Sequence, residues 1–229
     1  MLLNYTEVTS SLNPMTQQTI KKPKLPQNYA GGDLPGGVLE SERVYESLHL
    51  TDGDFSEQEA DNLEISRCLI QRVNFSGASL RKIQVSDARF QECDLSGADW
   101  SDGGGQRLEM AGCRTIGFCA NEAYFRDLRW NDCSASFSVF QQTRFKGAHF
   151  EGCNLREADF YGADLTGVVF HNCDLTKARF TEAVCVNTDF RGSTIEELVI
   201  GVREWRGAIL DPFQTIVLAG LLEIQVRMD

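Results

Sequence analysis

Thiols, carboxylates and imidazoles are the groups here that would carry chemistry, and their spacing comes first. Of eight cysteines, five (Cys93, Cys113, Cys133, Cys153 and Cys173) stand twenty residues apart. Such a column would be a metal-binding ladder, a set of vertical disulfides, or one small buried side chain repeated in one slot. Zinc asks for thiolates converging tetrahedrally on a point, which a linear column does not supply. A reducing compartment and side chains stacked in parallel argue against cross-links. The third reading therefore fits best, with cysteine as a small hydrophobe. Cys68 takes the same slot on another side, and Cys119 and Cys185 fall elsewhere in the repeat. The three histidines, His49, His149 and His171, are scattered, and HExxH, GxSxG and phosphate-loop motifs are absent. Many carboxylates lie in columns expected to face water, where they serve solubility more readily than acid–base work. No catalytic residue, metal or cofactor is expected, and the protein is read as not an enzyme.

The element that must position these groups is a repeat of five. From Cys153 to Phe180 a large apolar residue returns as Leu155, Phe160, Leu165, Phe170, Leu175 and Phe180, each two places after a small one. Phe145 and Phe150 precede them in the same frame as expected core. Neither the helical period of 3.6 nor the strand period of 2 produces a strict five. A fixed short period is the mark of a solenoid. The frame runs from Leu50 to Leu210 without an insertion, and falters at Ser101–Arg107, where three glycines make a candidate distorted corner or loop.

The blocks GADLT, EADFY and GADWS resemble the pentapeptide-repeat family, with its loose A(D/N)LXX consensus. That resemblance implies an all-β fold, a right-handed quadrilateral parallel β-helix with four five-residue sides per coil of twenty. About eight coils over residues 50–210, at the strand spacing of ~4.8 Å, make a rod of roughly 40 Å. Around it the sequence suggests a flexible tail over residues 1–27, a cap over 28–49 and a terminal segment over 211–229. LESERVYESL in the cap reads either as a short helix or as a first imperfect coil. In the terminal segment Asp211 can cap a helix, Pro212 suits its first turn and Gln214 completes a capping box. The helix, through about Leu222, is apolar nearly all round, with a short strand at Ile224 and Val226 after it. This tail resembles that of the quinolone-resistance members, which implies tail-to-tail homodimerisation through Phe213, Ile216, Val217, Leu218, Leu221, Leu222, Ile224 and Val226.

A net charge of −11 and pI near 4.8 exclude the basic footprint of a direct nucleic-acid binder. No stretch is long and apolar enough to span a membrane, and the N-terminus lacks a secretory pattern, so a cytoplasmic protein is expected. Assigning outward residues to sides shows where the charge lies. The first side (centred on Phe55, Phe75, Leu95) and the second (Ala60, Leu80, Trp100) each carry seven acids against three bases. The third (Phe125, Phe145, Leu165) has five against seven, and the fourth is near neutral. The candidate partner-binding residues are Asp54, Asp94, Asp99, Asp102, Glu122, Glu157, Asp159, Asp174 and Glu182. By the resemblance, such a rod mimics DNA, binds DNA gyrase or topoisomerase IV and protects it from quinolones or similar poisons. The alternatives are a scaffolding role without topoisomerase contact, and immunity to a gyrase-directed peptide toxin.

Overall fold

The computed structural model describes residues 19–31 and 37–221, for Leu221 the backbone alone. Residues 1–18 of the expected tail, and Leu222, Ile224 and Val226 of the expected dimer surface, lie outside them. Within each block the central residue and the small one before it point inward: Ala158, Phe160, Ala163, Leu165, Phe170, Leu175 and Phe180 are all fully buried. Phe145, Phe150 and Leu155 are buried with them. The turn comes two places after the centre. Every left-handed residue from Gly37 to Gly207 falls at that phase, including Asp87, Arg107 and Asp127 at φ 51°, 52° and 54°. L-residues seldom adopt this conformation, so one such residue per five is a corner, and four corners close a coil.

The strands follow from the coils. They are β1 (Ala30–Gly31), β2 (Val44–Glu46), β3 (Leu48–Thr51), β4 (Glu64–Ser66), β5 (Leu69–Gln71), β6 (Gln84–Gln91), β7 (Gly104–Ala111), β8 (Tyr124–Asn131), β9 (Arg144–Glu151) and β10 (Val169–His171). All pair in parallel, each with its counterpart one coil away. The rungs His49, Leu69, Arg89, Glu109, Arg129, His149, Val169, Asp189 and Ile209 form one unbroken ladder of eight steps. The four long strands β6–β9 run across both the third and fourth sides. The first and second sides are tied by single bridges, such as Asp94↔Arg114 and Asp99↔Cys119.

The glycines at Ser101–Arg107 make no loop. β7 begins at Gly104, in register with Gln84 and Tyr124. A Cβ on Gly104 would lie 2.0 Å from the Tyr124 carbonyl oxygen, so the site accepts only glycine. LESERVYESL is a coil, with Tyr45 opposite Ile65; regular winding thus starts before Leu50. The interior is aromatic. Phe140, Phe160 and Phe180 stack at 5.1 and 5.0 Å, beside Phe150, Phe170 and Phe190 at 5.1 and 5.5 Å. Trp205 closes the column on Phe190.

Helix α1 (Gln214–Leu221) covers the far end. Asp211 Oδ1 accepts the N–H groups of Phe213 and Gln214 at 2.9 and 3.0 Å, and Gln214 Oε1 accepts the Asp211 N–H at 2.9 Å. These are the contacts of a capping box. The buried Gln214 amide also donates to the carbonyls of Phe190 and Ser193, locking α1 to the last coils. At the near end, residues 19–27, expected as part of the flexible tail, lie against the rod: Ile20 is buried and Arg129 donates to its carbonyl.

Candidate partner-binding faces

The acidic columns on the first and second sides begin with a local device. In the residue before each centre, a carboxylate oxygen accepts the N–H two places on. It does so at Asp54, Asp94, Asp99, Asp159 and Asp174, over 2.9 to 3.0 Å. Each is an Asx turn that sets up the coming corner. Part of the acidity is therefore structural in origin, a role the sequence reading did not assign. At Asp54, Asp94 and Asp99 the second oxygen has no hydrogen-bond partner among the described residues and can face a partner protein, whereas at Asp159 and Asp174 it accepts from Arg179 and Arg156. At Asp54 the Ser56 side chain and N–H and the Asn74 amide outweigh desolvation and hold the carboxyl below its ordinary range. At Asp174 burial works the other way, yet the Thr176 hydroxyl and N–H together with Arg156 overcome it and keep the carboxyl low.

Three of the nine candidate acids are paired: Asp102 with Arg81 at 3.0 Å, Asp159 with Arg179 at 3.2 Å and Asp174 with Arg156 at 3.2 Å. Among the described residues Asp54, Asp94, Asp99, Glu122, Glu157 and Glu182 have no ion pair. Glu182 accepts the Tyr161 hydroxyl at 2.7 Å. Down the first side the rungs read Asp54, Asn74, Asp94, Arg114, Ser134, Asn154, Asp174. Like charges in this column are never on adjacent rungs; two coils, about 10 Å, roughly one screening length, separate Asp54 from Asp94. The column tolerates its own charge because neutral or basic residues are interleaved.

The thiol column is internal. Cys93, Cys113, Cys133, Cys153 and Cys173 are buried and free. Each Sγ points at a backbone carbonyl of the coil before, as in Cys153 to Trp130 O at 3.5 Å and Cys173 to Phe150 O at 3.3 Å. Thiols donating to carbonyls are protonated and are poor metal ligands. At Cys185, which takes a central position of the repeat, burial pushes the thiol up to about 12. Among the described residues no group of three or more His, Cys, Asp or Glu is arranged to hold a metal ion.

Titratable groups also gather in a shallow depression of about 370 Å³ on the fourth side, lined by His149, Glu151, Val169, His171, Asp189, Arg191 and Gly192. His171 Nδ1 lies 2.7 Å from Glu151 Oε2, and Arg191 is bound to Asp189 at 2.6 Å. The carboxylates are thus engaged, and the lining holds no hydroxyl or thiol nucleophile. On α1, Phe213 is 80% exposed, with Ile216 and Val217 beside it, while Leu218 packs against the rod core. Among the described residues no helix is long and apolar enough to cross a membrane.

Comparison with known proteins agrees with this geometry. Residues 68–100 match the family model described as pentapeptide repeats (8 copies), and residues 106–180 match the pentapeptide repeat region. The uncharacterized protein YisX of Bacillus subtilis (strain 168) is 27% identical over 133 residues, 58% of this chain and 62% of that protein; the match thus spans about three-fifths of that relative's length. Among solved structures, the plasmid-mediated fluoroquinolone resistance protein QnrB1 aligns at 23% identity over 83% of this chain and 93% of that one, with a TM-score of 0.41. HetL, a pentapeptide repeat protein involved in heterocyst differentiation regulation in Nostoc sp. strain PCC 7120, aligns at 16% identity over 77% and 92%, with a TM-score of 0.34. With the five-residue frame, the left-handed corners and the two model matches in agreement, the chain belongs to the pentapeptide-repeat family.

Proposed function

We propose that this rod binds, through its first and second sides, a basic DNA-binding surface of DNA gyrase or topoisomerase IV, and shields the enzyme from quinolones or similar poisons. The observation that carries the reading is the placing of a net eight negative charges on two adjacent sides. A duplex carries one charge per about 1.7 Å, so ~40 Å of DNA would offer about 24. The imitation is therefore partial, and its part is steering and orientation rather than charge-for-charge replacement. The exposed Phe213, Ile216 and Val217 support a homodimer joined through α1, which would double the length of the acidic surface. Such a protein would act in the cytoplasm.

A gyrase supercoiling assay with ciprofloxacin tests the reading. The protein is expected to inhibit supercoiling or to rescue it from the drug at micromolar concentration; absence of inhibition, rescue and binding refutes it. Asp94→Asn and Asp99→Asn separate charge from fold, because asparagine keeps the turn hydrogen bond while losing the charge. Both variants should melt like the parent, and the double variant should bind the enzyme about tenfold more weakly.

A further inference from the structure

The segment before β1 follows one corner of the rod, between the third and fourth sides. The Ile20 carbonyl accepts from Arg129 Nη2 at 2.7 Å, and the Ile20 side chain is buried. The Lys21 N–H donates to Asp127 Oδ1 at 3.1 Å, and the Lys24 N–H to Asp87 Oδ1 at 2.8 Å. Asp127 and Asp87 hold the same corner position two coils apart, 7% and 8% exposed. Between them Arg107 grips Asp87 through Nε and Nη2 at 2.5 and 2.6 Å. With the Lys24 N–H, Arg107 holds the Asp87 carboxyl below its ordinary range against the effect of burial. Asp127 has no such partner among the described residues; its hydrogen bond is the one from Lys21. A buried carboxylate satisfied only by a segment outside the coils needs that segment, or a substitute for it.

The spacing fits an extended ligand. Two coils measure about 9.6 Å, and three residues of polyproline II measure about 9.3 Å. Lys21 and Lys24 are three residues apart, and Pro23 between them favours that conformation and has no N–H to leave unmet. The three lysine side chains of the segment are exposed and donate no hydrogen bond among the described residues; the charge of Lys24 adds to the forces that keep Asp87 ionised.

We propose that this corner is a peptide-docking site. It takes an extended basic segment of the pattern apolar–Lys–x–Pro–Lys through its main chain, and the chain fills it in cis with residues 20–24 as a displaceable strap. The same segment supplied in trans competes for Asp127 and Asp87 once the strap is displaced. The site lies away from the acidic sides, and its test is independent of any topoisomerase.

The test uses the full-length chain. Trypsin can cut after Lys21 and Lys24 but not at the Lys22–Pro23 bond, so strap release is read as cleavage. Ile20→Asp should accelerate cleavage about tenfold relative to the parent, as the open population rises. Lys24→Pro, which removes one donor and leaves the Lys21 cut, should act in the same direction. Both substitutions lie outside the coils, and an unchanged far-ultraviolet circular dichroism spectrum confirms the rod. A fluorescent peptide of residues 19–27 should bind the Ile20→Asp chain, bind the parent at least about tenfold more weakly, and fail to bind when Asp87→Asn and Asp127→Asn are added. Parental cleavage rates in both strap variants, or no peptide binding to a chain whose strap is demonstrably released, would overturn the proposal.

Discussion

Cys153 Sγ donates to the carbonyl of Trp130, and Ser138 Oγ to that of Thr115, in both cases twenty-three positions back. Thr143, Thr188 and Ser193 make the same bond to Ala120, Leu165 and Phe170. The inward slot thus takes a small side chain, often alanine, and where it carries a donor, thiol and hydroxyl satisfy the same carbonyl of the previous coil. The sequence made cysteine a small hydrophobe; its second duty was hidden because a twenty-three-residue contact is visible only once the coil is closed. Cys119 is different. It is half-buried on the second side, 3.3 Å from Ser101 Oγ. Thiol reactivity requires access and thiolate character, so Ellman's reagent should modify one thiol of the native protein well ahead of the other seven, and Cys119→Ala should abolish that early phase. Early reaction of several thiols would mean that the column is not closed.

Helix α1 shows how one residue can belong to two elements. Gln214 completes the cap of its own helix and donates to two carbonyls of the rod. Gln214→Ala should therefore unfasten the helix as well as shorten it, at a cost of about 1–3 kcal/mol for the buried carbonyls left unmet. Leu218 packs inward, so the exposed set to alter is Phe213 and Val217. Replacing both with glutamate should give a monomer by light scattering without lowering the melting temperature, whereas a parent monomeric at high concentration would refute the α1 dimer. The capping box was legible from Asp211, Pro212 and Gln214 because capping depends on neighbours three residues apart. The docking of residues 19–27 was not. Lysines and prolines without apolar period read as a tail, and what holds them, Asp87 and Asp127, lies 63 and 106 residues away in sequence.

Taken whole, the rod is electrically two-faced. The first and second sides are acidic, the third sets seven bases against five acids, and Lys21, Lys22 and Lys24 add three more positive charges at its edge. An encounter steered by such a field is sensitive to salt. Association with a basic partner should slow markedly between about 50 and 200 mM salt as screening shortens, and a rate unchanged over that range would rule out steering by the acidic sides. The parallel coils were readable because a strict period leaves few ways to wind; which coils carry free rather than paired acids required the distances. The strap has a further consequence, for how the chain unfolds. In a stack where each coil touches only its neighbours, loss of order begins at the ends and proceeds one unit at a time. Hydrogen bonds from Lys21 to Asp127 and from Arg129 to Ile20 span 106 and 109 residues. They make the coils up to Arg129 a closed circuit that must open together, and leave the coils after it to melt as a separate, zipper-like block.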